Sequence, residues 1–430
     1  MTGETEQREY TRALLVGVDT GEEQDFEHSM EELASLAEAD YRQVVGIVVQ
    51  RMEAVNKSLY IGTGKAAEVK AYAAQTEAEE VIFDNALSPT QVRNLGKELE
   101  LPVLDRNNLI LDIFALRART GEAKLQVEAA RLQYLLPRLV GMRENLSRQG
   151  GTGGSMSNKG AGETKLELDR RRIEHRISEL KRELATVSKN REVMRKKRGR
   201  SEIPQAALVG YTNAGKSTIM NRLVADSGES RDKTVEEKDM LFATLDTAVR
   251  SICTDDNKPF FLVDTVGFIH KLPHGLVQAF RSTLEEVKYA DLLIQVVDFS
   301  DKHYRQQMEV TEQTLKELGA GGIPMITVYN KADKCGMTDI PQRKDNRIYM
   351  AAGQGIGLEE LVEMIQEELY ADRVEAEFLL PFDKGNVVSF FRENATVLEQ
   401  EYTESGVRLK VSCRKYDAER YGGYRGQLHG

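Results

Sequence analysis

A chain of 430 residues, 40% hydrophobic and 30% charged, has material for about two to four domains with real cores, which excludes both a single compact unit and wholesale disorder. No apolar run reaches the roughly 20 residues needed to span a bilayer, the opening MTGETEQREYTR has neither the basic end nor the apolar stretch of a signal peptide, and Cys253, Cys335 and Cys413 lie too far apart for a disulfide framework or a zinc site. A cytoplasmic protein is expected, and its formal charge of −10 argues against nucleic acid as a partner except between Lys165 and Arg200, where 14 basic and six acidic residues leave a net of +8.

Along residues 1–120, short β-branched runs alternate with helical patterns: ALLVGVD, SMEELASLAEA, VVGIVVQ, KAAEVKAYAAQ, EVIFD, TQVRNLGKELE. Such alternation predicts an α/β domain with a parallel sheet covered by helices. The run Gly62-Thr63-Gly64-Lys65 has its glycines too close together for a phosphate loop and is expected to be a plain turn into a helix.

Residues 121–200 read as a helical linker. Leu125, Ala129, Leu132, Leu136 and Leu139 step by four and three on one helix face, with Pro137 expected to kink or split it. A second helix repeats every seven residues at Leu166, Ile173, Leu180, Val187 and Met194, with Ile177 and Leu184 between them; Arg170 and Arg191 on this seam should open its ends. Between the two helices, residues 150–162 hold six glycines and cannot easily keep a shape of their own. An antiparallel hairpin with a flexible tip is expected. Strand and helix patterns then alternate over residues 201–370, a further α/β domain, and residues 371–430 offer a small α+β domain with FLLPF, a helix at VVSFFREN, two strands at VLEQEYT and GVRLKVSC, and a mobile tail from Arg414.

The chemistry concentrates in the third segment. GYTNAGKST follows the apolar run AALV and precedes IMNRLVA, matching G-x-x-x-x-G-K-[ST] in its strand-loop-helix setting. Gly210, Tyr211, Thr212, Asn213, Ala214 and Gly215 would curl backbone N–H groups around phosphates, Lys216 would reach the β- and γ-phosphates, and the Ser217 hydroxyl, beside Thr218, would bind Mg²⁺. In FFLVDTVGF, Asp264 ends a strand where a Mg²⁺ shell needs a carboxylate, and Gly267 lets its N–H approach a γ-phosphate. MITVYNKAD sets Asn330, Lys331 and Asp333 at another strand end, where the Asp333 carboxylate can accept from N1–H and the 2-amino group of guanine, and the Lys331 stem can lie across the base. In LFATLDT, Thr244 is the candidate for a second hydroxyl on Mg²⁺, from a loop ordered by the γ-phosphate, with Thr247 its rival.

These four elements, in order on one α/β unit, resemble the Ras-like GTPases. A second set, YIGTGKAAEV, FDNALSPTQVRNL, DRNNLILDIFALRA, GAGETKLELDRRRI, LFATLDT and DTVGF, resembles the HflX family from about residue 10 to about residue 413. The resemblance implies a cytosolic, Mg²⁺-dependent GTPase that binds the large ribosomal subunit and splits stalled or idle ribosomes, its N-terminal and hairpin regions reaching rRNA near the peptidyl-transferase centre. It also implies contact with the base from Ala351 and Ala352. Here the family's Ser-Ala-Lys loop has become Ala351-Ala352-Gly353, which leaves only backbone for that contact, and its Arg-Gly-Pro-Gly-Glu-Thr run has become Lys159-Gly160-Ala161-Gly162-Glu163-Thr164.

In Ras the residue after Asp-x-x-Gly is a glutamine that orients the attacking water. Phe268 stands there in this chain. A phenyl ring cannot orient water, so slow intrinsic hydrolysis is expected, with Lys216, Thr244 and Gly267 as the catalytic set and His270 or His274 as possible helpers. The competing functions are an RNA-remodelling enzyme using ATP as readily as GTP, and a signalling switch with a protein partner. A monomer is expected.

Overall fold

The computed structural model describes residues 10–21, 25–148, 159–198, 203–226, 241–242, 248–253, 258–271 and 285–425. The chain divides into two compact units: Met1–Val187 with Lys238–Asp246 and Val266–Thr283, and Ser188–Glu237 with Thr247–Thr265 and Leu284–Gly430. The residues that follow Asp264-Thr265 therefore leave the unit that holds their own strand, a division that no local sequence pattern announces.

The first unit rests on four parallel strands, β1 (Thr11–Asp19), β2 (Arg42–Arg51), β3 (Glu80–Phe83) and β4 (Val103–Asp105), in the order β2-β1-β3-β4. Parallel neighbours need long crossovers, here α1 (Phe26–Ala39), α2 (Thr63–Gln75) and α3 (Pro89–Leu99), with α4 (Arg106–Arg117) directly after β4. Ala13, Leu14, Leu15 and Val16 in β1 are all fully buried, as befits a strand covered on both faces. The Gly-Thr-Gly-Lys run is a turn into a helix, with Gly62 as N-cap of α2. Ser88 and Gln91 exchange hydrogen bonds at the start of α3, with Pro89 in the first turn, a full capping box that fixes where this helix begins.

The long helices α5 (Gly121–Arg148) and α6 (Lys159–Arg198) follow. α5 runs unbroken through Pro137 rather than splitting there. Its most deeply buried side chains are Ala123, Gln126, Val127, Ala129 and Ala130, whereas the expected Leu125, Leu132 and Leu136 are only half-buried. A second face of this helix is occupied because Tyr134 and Arg138 both bond Asp105 and Arg138 also donates to the Leu87 carbonyl at 3.1 Å. On α6 the repeat holds at its centre, where Ile177 and Leu180 are buried. The Arg176 guanidinium forks onto Glu128 of α5 at 2.8 and 3.0 Å. Residues 159–162 of the glycine-rich run are the first turn of α6, and residues 149–158 lie outside the described residues.

The second unit holds a mixed sheet of β5 (Gln205–Gly210), β6 (Ala248–Ile252), β7 (Phe260–Asp264), β8 (Leu292–Asp298), β9 (Met325–Asn330), β10 (Gln342–Lys344) and β11 (Arg347–Tyr349), in the order β10-β11-β9-β8-β5-β7-β6. β5, β7, β8, β9 and β11 are parallel, while β6 and β10 pair antiparallel at the two edges. α7 (Lys216–Asp226), α8 (Tyr304–Glu317) and α9 (Leu358–Leu369) supply its helices. A smaller antiparallel sheet of β12 (Arg373–Leu380), β14 (Gly406–Arg414) and β13 (Thr396–Thr403) packs under α10 (Gly385–Asn394), with Phe378 stacked on Phe391 at 4.6 Å. The tail from Arg414, expected to be mobile, is structured as far as Arg425. Lys415–Arg420 form α11, Ala418 is fully buried, and Arg425 bridges to Phe378. Two of its tyrosines, Tyr421 and Tyr424, are half-buried and pack against the core of this small sheet, whereas Tyr416 is exposed.

Candidate nucleotide site

At the carboxyl end of β5 the chain turns through Gly210-Tyr211-Thr212-Asn213-Ala214-Gly215 into α7. Gly210 has φ +141°, and a Cβ on it would lie 2.2 Å from the Val296 carbonyl oxygen; Gly215 has φ +99°, and its Cβ would lie 2.2 Å from Asn330 Nδ2. Neither position accepts a side chain. The N-terminal end of α7 faces this loop, so that unpaired N–H groups and the helix dipole make the turn a seat for anions.

Lys216 is almost completely buried. Its Nζ donates to the carbonyls of Gly210 at 3.1 Å and Tyr211 at 2.6 Å. Burial pushes the ammonium down to about 8, against the opposing pull of Asp264. The same burial pushes the Asp264 carboxyl above its ordinary value, opposed by Lys216 and by the Ser217 hydroxyl, which donates to Asp264 Oδ2 at 2.7 Å. The other oxygen, Asp264 Oδ1, is buried with no hydrogen-bond partner among the described residues. A buried carboxylate oxygen left bare beside a hydroxyl is the donor set a hard divalent cation takes.

Asn330 ties three segments together. Its Nδ2 donates to the Ala214 carbonyl at 2.9 Å and its Oδ1 accepts from the Ala352 amide at 3.0 Å, so this side chain braces the glycine-rich loop against the Ala351-Ala352-Gly353 loop. Lys331, held at φ +59°, donates to the Asn213 carbonyl at 2.8 Å and to Asp298 Oδ2 at 2.7 Å. Asp333 accepts from Gln354 Nε2 at 3.0 Å. Ala351 and Ala352, expected to offer only backbone to a base, have internal acceptors for both amides: the Ile356 carbonyl and Asn330 Oδ1.

The second unit thus assembles residues 210–218, Asp264, Asn330, Lys331, Asp333, Ala351 and Ala352. Gly267 and Phe268 belong to the first unit, and Thr244 and Thr247 lie outside the described residues, as does His274. Sequence reasoning missed Asp298 and Gln354, which orient Lys331 and Asp333. Asp298 had a usable signal, being one more carboxylate at the end of an apolar strand; Gln354 had none.

Three family models match the chain in succession: a GTP-binding GTPase N-terminal region over residues 27–115, a GTP-binding GTPase middle region over residues 117–198, and a 50S ribosome-binding GTPase over residues 205–331. The GTPase HflX of Caldanaerobacter subterraneus subsp. tengcongensis is 43% identical over 408 residues, covering 94% of this chain and 92% of the relative. The chain belongs to the HflX family of GTPases. The GTPase HflX of Escherichia coli is 38% identical, covering 94% of this chain and 93% of that protein. Among solved structures, a GTP-binding protein from the hyperthermophilic archaeon Sulfolobus solfataricus in complex with GDP is similar at 26% identity over 84% of this chain and 98% of that one, with a TM-score of 0.44. As an HflX-family GTPase the chain binds and hydrolyses GTP, and no helix among its described residues is long and apolar enough to cross a membrane.

Proposed function

We propose that this HflX-family GTPase works in the cytoplasm on ribosomes, binding the large subunit near the peptidyl-transferase centre and, with GTP, splitting stalled or idle particles. The observation that carries this reading is the match of residues 205–331 to a family described as 50S ribosome-binding, on a chain that resembles HflX GTPases along nearly its whole length. The linker supports it. Arg171 and Arg172 are largely exposed on α6, and their ion pairs to Glu167 and Asp169 span 3.4 and 3.6 Å. Exposed pairs of this kind are worth little, so exchanging them for rRNA phosphates costs the protein almost nothing.

Within the site we assign the amides of residues 210–218 to the GTP phosphates, Lys216 to the β- and γ-phosphates and Asp333 to the guanine edge, with Lys331 over the base. Mg²⁺ fits beside Ser217 and the bare Asp264 Oδ1, with Thr244 as a further hydroxyl. When bound there it neutralises charge on the β- and γ-phosphates. Gly267 offers its N–H to the γ-phosphate. Phe268 is buried and carries no group that could hold a water, so a partner or another loop of the chain must supply that positioning.

Two outcomes test these assignments. Basal turnover should be slow and rise on adding large subunits, and 70S particles should dissociate with GTP but not with GDP, as followed by sedimentation and light scattering. Fast hydrolysis indifferent to subunits, or splitting driven equally by ATP, would refute the reading and favour the RNA-remodelling or signalling alternatives. The second outcome concerns pH. With Lys216 at about 8 in the nucleotide-free protein, binding above that pH must first restore its proton, so GTP affinity should fall by up to about tenfold per pH unit from pH 8 upward. Calorimetry in buffers of different ionisation enthalpy would register this proton uptake; a flat affinity between pH 7 and 9.5 would show that Lys216 takes up no proton on binding. For the free protein the sign is opposite. The folded state binds fewer protons at Lys216 than the unfolded chain between pH 8 and 10.5, so this group's contribution to stability rises over that window.

A further inference from the structure

The turn that follows β11 uses nearly all of its amides on itself. Ala351 and Ile356 exchange both of their backbone hydrogen bonds, each at 3.1 Å, and so close residues 351–356 into a tight loop. The amides of Gln354 and Gly355 donate back to the carbonyls of Ala351 at 3.0 Å and Ala352 at 3.1 Å, while the Ala352 amide donates to Asn330 Oδ1 at 3.0 Å. Among the described residues Gly353 is the exception, an exposed amide with no acceptor. A Cβ built on Gly353 would meet no heavy atom within 4 Å, so the space around it is open. The residue is nonetheless held, since its carbonyl accepts from Arg222 Nη2 of α7 at 2.8 Å.

The next residue reaches the carboxylate. Gln354 Nε2 donates to Asp333 Oδ2 at 3.0 Å, from the only side chain in residues 351–356 that can donate at all. Asp333 stands on the single short turn Ala332–Cys335 after β9, where a carboxylate needs a partner to keep one rotamer. One donor on one oxygen supplies it and leaves both oxygens with lone pairs to spare. Guanine presents an acceptor at O6 beside donors at N1 and the 2-amino group, so an N–H set next to an oriented carboxylate is its complement. Adenine, with an amino group at position 6 and no hydrogen on N1, is refused by both.

We propose that guanine is read by the tip of this turn: the Gly353 amide donates to O6, and Gln354 sets the Asp333 carboxylate for N1–H and the 2-amino group. The amides of Ala351 and Ala352, which the resemblance assigned to the base, serve the turn and Asn330 instead. Gln354 is a positioning residue, acting on the base through Asp333. The inference rests on the placement of the base at Asp333 proposed above and is independent of ribosome splitting.

The test is equilibrium binding to the full chain of three probes: GTP, inosine triphosphate, which lacks the 2-amino group, and 6-thioguanosine triphosphate, whose sulfur accepts a hydrogen bond weakly. Gln354→Ala should weaken GTP by about fivefold and inosine triphosphate by less, so that the preference between them narrows. Gln354→Glu, which sets a second carboxylate against Asp333, should cost more than the alanine. Gly353→Pro, which removes the amide hydrogen, should abolish the preference for GTP over the 6-thio analogue and keep that over inosine triphosphate. Parental selectivity in Gln354→Ala or in a folded Gly353→Pro protein would overturn the proposal. Because proline also restricts Ala352, the parental chain labelled with ¹⁵N-glycine gives a second answer: the Gly353 amide resonance, identified by its absence from a Gly353→Ala spectrum, should move on binding GDP and move less with 6-thioguanosine diphosphate. A resonance indifferent to GDP would overturn the assignment of O6. Asp333→Asn separates the two readings. Unchanged GTP affinity there rejects the base site and this inference together, whereas an inverted base preference there with parental selectivity at positions 353 and 354 rejects this inference alone.

Discussion

An Asp333→Asn variant should bind GTP about a hundredfold more weakly and gain affinity for xanthosine triphosphate. In the assignment proposed above the carboxylate would accept from two guanine N–H groups, and losing a charge-assisted pair costs about 3 kcal/mol, roughly a factor of a hundred. An asparagine amide still accepts from N1–H and offers its own N–H to the 2-oxo group of xanthine, so the preference inverts rather than vanishes. Gln354 Nε2, which donates to Asp333 at 3.0 Å, holds this carboxylate in place and should make the inversion depend on position 354. Competition binding with GTP and xanthosine triphosphate checks it; unchanged GTP affinity would mean that the base lies elsewhere.

Lys216→Ala should lower GTP hydrolysis by about 10²- to 10³-fold, or about 3 to 4 kcal/mol of transition-state stabilisation. Two losses combine in this one change. The ammonium assigned above to the phosphate oxygens is gone, and Asp264, already pushed up by burial, loses the Coulombic partner that holds it down. Its carboxyl should then be protonated over more of the neutral range, so the variant should also need more Mg²⁺ for whatever turnover remains. Single-turnover hydrolysis across a Mg²⁺ series measures both effects, with circular dichroism to show that the variant is folded. Parental hydrolysis would point to a different nucleotide site.

Local patterns in the chain carried much of this molecule. G-x-x-x-x-G-K-[ST] after an apolar run, D-x-x-G after a second and N-K-x-D after a third are spacings along single strand-loop segments, and the backbone dictates where their residues go: Gly210 and Gly215 accept no side chain, and Lys216 begins a helix. Alternating β-branched and amphipathic runs likewise report burial of one element at a time, which is why the parallel sheet of the first unit and the central part of the α6 repeat were legible.

Tertiary structure decided what depends on two distant segments meeting. The tail after Arg414 looks solvated by composition, rich in Arg, Tyr and Gly, yet Ala418 is buried in the small C-terminal core and Tyr421 and Tyr424 pack against it. α5 shows one apolar stripe in sequence and buries a second face, because Tyr134 and Arg138 are polar residues whose partner, Asp105, lies some thirty positions away. Asn330 looked like one member of a base-binding loop and is also the brace between two others. Lys271 and Asp84, 187 residues apart, carry no shared period or spacing. A buried carboxylate finds its counter-charge by position in space, and only folding brings that lysine to the end of β3.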